Sequence, residues 1–306
     1  MRITITGGAG FIGSQLADRL VERGDEVTIV DNFATGLPAS VSDGASLVVG
    51  SIADEEVLDE AVDRFRPELV VHCAASYRDP DAWEEDVRTN ALGSALLAQQ
   101  ALRAGVRRLV YFQTALCYGH LPLQAPIRLD HPLRPESSYA ISKTAGEQYI
   151  ALSGLDYVSL RLANVYGPRN LSGPVPTFFQ RLAAGKACFA VDTRRDFVYV
   201  DDLLDVALRA IDGAGAPGVY HVSSGSDISI RELYDAVAAA MGVDQPVEER
   251  PRGEDDAPTI LLDPARTIEE FGWRARTPLA EGIRRAIEWY AEHGVEQTYT
   301  HLRLED

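Results

Sequence analysis

A tyrosine and a lysine stand four residues apart in the segment SSYAISKTAGEQY, which has helical character. Residues at positions i and i+4 lie on one face of a helix, so Tyr139 and Lys143 are predicted to be neighbours. An ammonium group lowers the pKa of a nearby phenol from about 10, because it favours the phenolate. With 12 Tyr and the two lysines Lys143 and Lys186, chance predicts roughly 0.08 such pairs. The pair is therefore a candidate general base with its activating cation.

A threonine follows the strand-like run RLVYF at 108–112. The C-terminal end of a parallel strand is where open α/β sheets bind their ligands. A hydroxyl group at Thr114 could share a proton with Tyr139, although a single Thr after a strand is usually a turn residue. Thr114, Tyr139 and Lys143 form the predicted catalytic set.

A glycine-rich turn stands near the N-terminus, between a β-branched run at 2–6 and an amphipathic segment at 11–23. The sequence GAGFIG at 8–13 matches G-x-G-x-x-G, which chance yields roughly 0.2 times in a chain with 25 Gly. Its place between a strand and a helix favours function, because glycines there let backbone N–H groups approach a pyrophosphate. We therefore predict dinucleotide contacts at Gly7, Gly10, Phe11, Ile12 and Gly13.

Asp31 stands 18 residues after Gly13, at the end of the second predicted strand. A carboxylate in that position accepts both hydroxyls of the adenosine ribose, and it would repel the 2′-phosphate of NADP. No Arg follows it in the run DNFATG at 31–36. The expected cofactor is therefore NAD.

Strands and helices alternate through the first third of the chain, and this alternation positions the groups above. Strands are predicted at 2–6, 26–30, 46–49, 68–73, 108–112 and 218–222, and helices at 11–23, 57–65, 91–104, 230–241 and 279–293. Such alternation implies right-handed βαβ units. The predicted fold class is α/β, a Rossmann-type doubly wound parallel sheet with a smaller C-terminal substrate domain.

The alternation ends near residue 166, where prolines and glycines cluster. This change predicts two units of different composition. Residues 1–165 and 196–224 are expected to form the dinucleotide-binding domain. Residues 166–195 and 225–306 are expected to form the substrate domain.

The net charge is −17, from 29 Lys and Arg against 46 Asp and Glu in 306 residues. Such a surface repels nucleic acid and anionic lipid, so neither is an expected partner, whereas an anionic small molecule sees only its pocket. We find no signal peptide and no apolar run long enough for a membrane span. Three scattered cysteines offer neither a disulfide framework nor a metal site. The sequence thus predicts a soluble, cytoplasmic protein that holds no metal.

The order of these motifs resembles the extended short-chain dehydrogenase/reductase family, in particular its nucleotide-sugar epimerases and dehydratases. The matching segments are GGAGFIG at 7–13, VDNFATG at 30–36, HCAA at 72–75, Asn90, TALCYG at 114–119, SYAISK at 138–143, RLANVYGPR at 161–169 and RRDFVYVDDL at 194–203. The resemblance implies a Rossmann domain that keeps NAD bound and a small C-terminal domain for a nucleotide sugar. It also implies a homodimer built from segment 91–104 and the helix after Tyr139.

The resemblance assigns roles to individual residues. Thr114, Tyr139 and Lys143 match the catalytic set of the family, and Tyr139 and Lys143 also match cofactor contacts. Further cofactor contacts are implied for Asp31, Asn32, Thr35, Gly36, Ser51, Ile52, His72, Cys73, Ala74, Ala75 and Asn90. Substrate contacts are implied for Thr114, Asn164 and Arg169, for Thr177 and Phe178 at the base, and for Arg195 and Arg252 at the nucleotide.

Epimerisation at C4 of the sugar, which the resemblance implies, needs no group beyond the catalytic set. Tyr139, as phenolate, would take the C4 hydroxyl proton while the C4 hydride passes to NAD and returns on the other face of a 4-keto sugar. A 4,6-dehydratase of the family carries an acid–base pair directly after the Thr, where this chain has Ala115 and Leu116. Leu116 argues more weakly against a decarboxylase. A 4-ketosugar reductase, another sugar-modifying enzyme and a non-catalytic NAD-binding scaffold remain the alternatives.

The sugar and its nucleotide stay open at this point. The likeness is to bacterial UDP-sugar 4-epimerases, so a UDP-hexose, a UDP-uronic acid or an N-acetyl relative is the expected substrate. Arg169 could meet the carboxylate of a uronic acid, and a phosphate contact or a structural role is the alternative. In the loop at 250–258, Arg252 differs by one position from the family's Arg before Gly-Asp.

Overall fold

A parallel β-sheet forms the centre of the chain in a computed structural model, which describes residues 1–253, 256–295 and 297–298. The strands are β1 Arg2–Thr6, β2 Glu26–Asp31, β3 Ser46–Val49, β4 Leu69–His72, β5 Arg108–Thr114, β6 Tyr157–Leu162, β7 Asn164–Tyr166, β8 Cys188–Val191, β9 Arg194–Arg195, β10 Phe197–Tyr199, β11 Gly218–Val222, β12 Ile228–Ser229, β13 Val247–Arg250 and β14 Thr259–Ile260. The central sheet has the order β3-β2-β1-β4-β5-β6-β11, and each neighbouring pair is parallel.

Helices cover both faces of this sheet, and further helices lie beside it. They are α1 Phe11–Glu22, α2 Glu55–Leu58, α3 Trp83–Asp86, α4 Ser94–Arg103, α5 Ser138–Leu152, α6 Pro174–Ala183, α7 Val200–Ile211, α8 Ile230–Met241, α9 Ala265–Phe271 and α10 Leu279–His293. Short 3₁₀ turns lie at Pro38–Ser40 and Ala115–Tyr118. Among the described residues, no helix combines the length and the apolar character that a bilayer crossing requires.

Alternation of side chains along the strands gives the sheet two buried faces, as a doubly wound fold requires. Ile3 and Ile5 of β1 pack with Leu16 and Leu20 of α1 in one core, which α7 also covers. On the other face, Val70 of β4 packs in a core with α2, α4 and α5. The predicted Rossmann-type sheet is confirmed.

One helical segment begins earlier than its sequence pattern predicts. The helix expected at 91–104 starts at α3, continues as a π-helix at Val87–Gly93 and ends with α4. A π-helical turn holds more residues than an α-helical turn, so it breaks the 3.6-residue apolar period that marks a helix. A second π-helical stretch, Asp59–Arg64, follows α2 in the same way.

Beside the central sheet, the described part of the chain forms smaller groups of two or three strands, and helices α6, α8 and α10 pack against one another there. β7 pairs with β10, β8 pairs with β13, and β9 lies between β12 and β14. Aromatic contacts join α6 to its neighbours: Phe178 meets Tyr234 of α8, and Phe179 meets Tyr290 of α10, both at 5.3 Å between ring centroids. The predicted division into two domains stays a prediction, and residues 254–255, 296 and 299–306 of its second unit lie outside the described residues.

Candidate active site

A cleft opens at the C-terminal ends of the strands around β1 and β4, where the strand order reverses. Its volume is about 720 Å³, which suits a cofactor or another small molecule. The glycine turn at 7–13 forms one wall, and Tyr139 and Lys143 of α5 form another. Residues 162–166 and 172–175 line the far end. Open sheets of this topology bind their ligands at this place.

Glycines allow the chain to turn tightly between β1 and α1. Gly7 has φ +68°, and a Cβ there would lie 2.6 Å from the backbone nitrogen of Ala74. A Cβ on Gly13 would lie 2.2 Å from the carbonyl oxygen of Gly7. Gly10 precedes α1 and has no side chain to cap it, so the first N–H groups of the helix are open to an anion. The turn therefore fits a pyrophosphate and tolerates no larger residue at Gly7 or Gly13.

Asp31 ends β2, and backbone donors fix its carboxylate in the cleft. Oδ2 accepts a hydrogen bond from Ala9 N at 2.9 Å, and Oδ1 accepts one from Phe33 N at 2.8 Å. Burial raises the pKa of Asp31, and the two backbone hydrogen bonds lower it. An ionised carboxylate keeps further lone pairs, so Asp31 can still accept ribose hydroxyls.

Thr114, Tyr139 and Lys143 meet in the cleft at the junction of β5 and α5. The side chain of Ser137 caps α5 directly before Tyr139. The hydroxyl groups of Tyr139 and Thr114 share a hydrogen bond. Lys143 Nζ donates to the carbonyl oxygen of Phe112 at 2.7 Å. One helix and one strand end thus bring together the three residues that the spacing and the resemblance predict.

Burial governs the ionisation of the phenol. It raises the pKa of Tyr139 well above its ordinary value, Tyr77 and Asp86 raise it further, and the hydrogen bond with Thr114 lowers it. The lowered pKa expected from the Tyr–Lys spacing is thus wrong for this structure. Desolvation of the phenolate is the largest cause of this raised pKa, because the phenol lies against the wall of the cleft.

The surroundings of Lys143 also favour the neutral form of its side chain. Burial lowers the pKa of Lys143 to about 7, while Cys73 and Glu147 raise it. Its ammonium group lies 4.1 Å from the ring centroid of Tyr111, which adds a cation–π contact. Near neutral pH the amine therefore exists in both forms, and its charge depends on what else is in the cleft.

The loop after β4 and helix α3, which follows it, supply cleft groups that no sequence motif indicates. They are Ser76, Tyr77, Arg78, Asp79 and Glu85. Ser76 Oγ donates to Asp86 Oδ1 at 2.8 Å, which ties the start of the loop to α3. These residues directly follow the C-terminal end of a parallel strand, and that position is the signal that could have pointed to them.

Arg169 is held against helix α1. Its guanidinium pairs with Asp18 at 2.8 Å and donates to Ser14 Oγ at 3.0 Å, both on α1, and its backbone has φ +64°. It lies outside the lining of the cleft, where the carboxylate contact considered for a uronic acid would have to form. The structural role, given above as the alternative, is the one that these contacts support. Asn164 and Thr114, by contrast, line the cleft.

Thr177 and Phe178, expected at the nucleotide base, belong to the body of α6. The Thr177 hydroxyl donates to the carbonyl oxygen of Gly173 at 2.9 Å. Phe178 is buried against Tyr234. Neither side chain lines the cleft, because α6 turns its apolar face toward α8.

Arg195 and Arg252 are far apart in the sequence and meet at one residue. Arg195 pairs with the Asp256 carboxylate at 2.5 Å, and Arg252 donates to the Asp256 carbonyl oxygen at 2.6 Å. Burial lowers the pKa of Arg195, and Asp256 raises it. Neither guanidinium lines the cleft, and Glu254 and Asp255 of the same loop lie outside the described residues.

Comparison with known proteins identifies the family. The model of the NAD dependent epimerase/dehydratase family matches residues 3–223. The chain belongs to this family. A UDP-glucose 4-epimerase of Mycolicibacterium smegmatis is 36 % identical, over 95 % of this chain and 98 % of that protein.

Solved structures of similar chains hold nucleotides. The Bordetella bronchiseptica enzyme WbmH, in complex with NAD+, has a TM-score of 0.93 and 52 % identity, and the match covers 96 % of this chain and 99 % of WbmH. WbmG of the same organism, in complex with NAD and UDP, has a TM-score of 0.91 and 45 % identity over 100 % of this chain and 99 % of WbmG.

Most residues expected at the NAD of this family line the cleft. They are Gly7, Gly10, Phe11, Ile12, Gly13, Asp31, Asn32, Thr35, Ser51, Ile52, Cys73, Ala74, Ala75, Tyr139 and Lys143. Gly36 instead packs behind Asp31, since an added Cβ would lie 2.9 Å from Oδ1. Asn90 is buried, accepts from Ser76 N at 2.8 Å and donates to Ser76 O at 2.9 Å. His72 is buried between hydroxyl groups of β1 and α4. Gly36, Asn90 and His72 therefore support the lining from behind.

Proposed function

We propose that this member of the NAD dependent epimerase/dehydratase family is an isomerase that inverts C4 of a UDP-sugar. The observation that carries the proposal is the meeting of Thr114, Tyr139 and Lys143 beside a glycine turn that fits a dinucleotide. The similar UDP-glucose 4-epimerase and the complex of WbmG with UDP support UDP as the nucleotide.

Tyr139 is the proposed base for the C4 hydroxyl of the sugar. Thr114 shares a hydrogen bond with it and can stabilise the phenolate by donating to it. NAD, when bound, supplies the hydride acceptor and, in its oxidised form, a positive charge in the cleft. Lys143 adds a second positive charge in its protonated form, so a loaded cleft favours the phenolate that the bare protein disfavours.

The cofactor is proposed to lie along the glycine turn. The N–H groups at the start of α1 would hold the pyrophosphate, and Asp31 would accept the adenosine ribose hydroxyls. The same carboxylate disfavours a 2′-phosphate, which supports NAD over NADP.

The nucleotide end of the substrate is proposed to lie at Asn164, beside the first turn of the helix that carries Thr177 and Phe178, and at the pair of arginines Arg195 and Arg252. Both arginines are held by Asp256 through atoms that a diphosphate could replace. Binding energy placed on the diphosphate is remote from C4, so it leaves the sugar free to turn between the two hydride transfers. In this proposal, residues 166–195 and 225–306 hold the nucleotide sugar, and residues 1–165 and 196–224 hold NAD.

Dehydration of the sugar is disfavoured by the residues after the catalytic Thr. Ala115 is buried and Leu116 packs against the core, and neither side chain can transfer a proton. A 4,6-dehydratase must remove the C5 proton and protonate the leaving hydroxyl at C6, which calls for an added acid and base. Epimerisation calls for neither.

We also propose that the chain forms a homodimer. Apolar side chains are exposed on the outer surface of α4, α5 and the π-helix between α3 and α4; they are Leu92, Leu102, Ile141, Tyr149 and Leu152. On α5 the last three fall within one face at helical spacing. An exposed apolar face of this kind is typical of a protein–protein interface, and a second copy of this face would complete a four-helix bundle.

The cytoplasm is the proposed location. Cys73, Cys117 and Cys188 are free thiols. Free thiols that have not paired are typical of proteins in a reducing compartment.

The proposal is tested by releasing the small molecules from purified protein and then assaying a panel of substrates. We expect NAD and no NADP in the released fraction. UDP-glucose, UDP-glucuronate and their N-acetyl relatives are then incubated without added cofactor, and NMR is used to identify any C4 epimer. An empty cleft that prefers NADPH, with turnover of 4-keto sugars, would overturn the proposal in favour of a reductase.

A further inference from the structure

A buried ion pair lies one helical turn beyond Lys143. Glu147 of α5 and Arg161 of β6 are 4 % and 6 % exposed. Arg161 donates from NH2 to Glu147 Oε2 at 2.6 Å and from Nε to Oε1 at 3.2 Å. Ser159 Oγ also donates to Oε1, at 2.5 Å. This bidentate ion pair therefore ties α5 to β6, the strand beneath it.

A chain of hydrogen bonds continues from this pair to the C-terminal part of the protein. Arg161 NH1 donates to the Tyr118 hydroxyl at 2.6 Å, and that hydroxyl donates to His221 Nε2 at 2.6 Å. His221 Nδ1 donates to the Asp263 carbonyl oxygen at 3.0 Å. A carbonyl can only accept, so Nδ1 carries the proton and Nε2 is the acceptor. Burial lowers the pKa of His221 to about 4, so the ring is neutral near pH 7.

This series of hydrogen-bonded side chains borders the catalytic set on two sides. Glu147 follows Lys143 at i+4 on α5, so the two side chains lie on the same face of the helix. Tyr118 closes the 3₁₀ turn Ala115–Tyr118, which begins directly after Thr114. A shift of the ion pair would therefore move both Lys143 and Thr114.

A contribution to the stability of the fold does not by itself explain a buried ion pair such as Glu147–Arg161. Desolvation of two charges offsets most of their attraction, and two apolar residues of similar volume often stabilise a core equally well. A bidentate ion pair of defined geometry instead specifies one position of helix α5 relative to strand β6. We infer that Glu147 and Arg161 are positioning residues, which set the place of Lys143 and Thr114 for the proposed epimerisation. This inference rests on the proposed function.

The charges around the lysine add a measurable consequence. Lys143 faces the Cys73 thiol and the His72 ring behind β4, the Tyr111 ring on β5 and the Glu147 carboxylate on its own helix. Glu147 raises the pKa of Lys143, so loss of its charge lowers that pKa. The ammonium form is then lost at a lower pH.

The test uses two variants of the pair and one control in the full-length protein. Glu147→Gln removes the charge and keeps the size. The double variant Glu147→Leu/Arg161→Met replaces the pair with apolar groups, which guards against unfolding caused by an unpaired Arg161. Arg108→Met is the matched control, because Arg108 is also buried and pairs with Asp156 at 3.0 Å, at the opposite end of β5.

The readout is the titration of Lys143 followed by NMR with ε-¹³C-labelled lysine. The chain has two lysines, and the exposed Lys186 gives the reference signal. We expect the pKa of Lys143 to fall by about half a unit or more in Glu147→Gln and in the double variant, and to stay in place in Arg108→Met. On the UDP-sugar that reacts, we expect kcat about tenfold lower in both, with KM within about threefold of the parent.

A double variant that folds, titrates Lys143 as the parent does and keeps kcat within about threefold would overturn the inference. Failure of the proposed function is distinguishable from this result. If the parent epimerises no UDP-sugar, the proposed function falls, whereas a Lys143 titration that is unchanged in the double variant would by itself count against the inference.

Discussion

Lys143 is buried and Tyr139 is partly buried at the cleft wall, and desolvation moves their pKa values in opposite directions. The pKa of the phenol rises and the pKa of the amine falls to about 7, so near neutral pH in the protein alone the phenol is neutral and the amine exists in both forms. In the proposed function, the phenol becomes a phenolate when bound ligands bring positive charge into the cleft. At the scale of residues, the proposed mechanism therefore requires bound ligands to ionise Tyr139.

Replacement of Tyr139 tests the proposed general base by removing a single oxygen atom. Tyr139→Phe removes the hydroxyl that shares a hydrogen bond with Thr114. We expect kcat to fall about 100- to 10,000-fold, the usual contribution of a general base. Tyr157→Phe is the matched control, because Tyr157 lies at the N-terminal end of β6, away from the cleft, and it should keep parental turnover. Full turnover by Tyr139→Phe would refute the assignment.

The pKa of Lys143 makes the stability of the cofactor-stripped protein depend on pH. Below about pH 7 the amine is charged in both states, and the folded protein carries the cost of a buried charge. Above 10.5, the ordinary pKa, it is neutral in both, so this cost disappears as pH rises through that window. Between about pH 7.5 and 9.5, the free energy of unfolding should rise by about 2 kcal/mol more in the parent than in Lys143→Met. Urea unfolding measures both, and equal pH slopes would contradict the lowered pKa.

At the scale of elements, α5 carries two tasks on two faces. Its inner face is tied to β5, because the Lys143 carbonyl oxygen accepts from the Tyr111 hydroxyl at 3.1 Å and from Gln113 Nε2 at 3.0 Å. Its outer face exposes Ile141, Tyr149 and Leu152, the last with 80 % of its surface accessible. The catalytic helix is thus also the helix proposed to hold the second subunit.

Charge on the outer face of α5 should separate the subunits. Tyr149→Glu/Leu152→Glu places two carboxylates where the proposed dimer buries apolar surface, at a cost that a small interface does not survive. Sedimentation should show twice the chain mass of 33.4 kDa for the parent and a single chain for the variant. Leu47→Glu, on the exposed edge strand β3, is the control and should leave the parental mass unchanged. A parent that sediments as one chain would contradict the dimer.

Sequence periodicity predicts the elements well where the local pattern alone decides them. β1, β3, β11, α8 and α10 have the predicted bounds, since each is a clean apolar run or is closed by a cap such as Gly242 or Gly294. The start at Trp83 is not predictable in this way, because α3 is short, acidic and exposed before the π-helix.

The site was predictable as far as it follows from spacing within one element or from a strand–turn–helix motif. The glycine turn, Asp31 and the Tyr–Lys pair are of this kind. The contacts of Arg169 are not, because its partners on α1 lie about 150 positions earlier and no local pattern encodes them. The raised pKa of Tyr139 likewise depends on burial, which only the packed fold sets.

At the scale of the whole molecule, the net charge of −17 opposes the proposed ligands, which are both diphosphates. The cleft itself is mixed: Asp31, Asp79 and Glu85 line it together with Arg78 and Lys143. The glycine turn offsets this repulsion with hydrogen bonds from backbone N–H groups to the pyrophosphate. These groups carry no formal charge, so the acidic residues of the protein do not neutralise them.

Salt should therefore help the substrate to bind. Raising NaCl from about 10 to about 150 mM screens the repulsion between the acidic surface and a UDP-sugar, and kcat/KM should rise about two- to fivefold. Uridine carries no charge, so its inhibition constant should stay constant and serves as the control. A kcat/KM that falls with salt would show that local arginines outweigh the global field.

The central claim is that hydride leaves C4 of a nucleotide sugar and returns to C4 within one closed site. The most direct measurement uses the UDP-sugar that reacts, labelled with deuterium at C4, without added cofactor, and follows the label by NMR. The account predicts a C4-inverted product that keeps its deuterium at C4. Deuterium found at C6, as in a dehydration, or lost to solvent would contradict it.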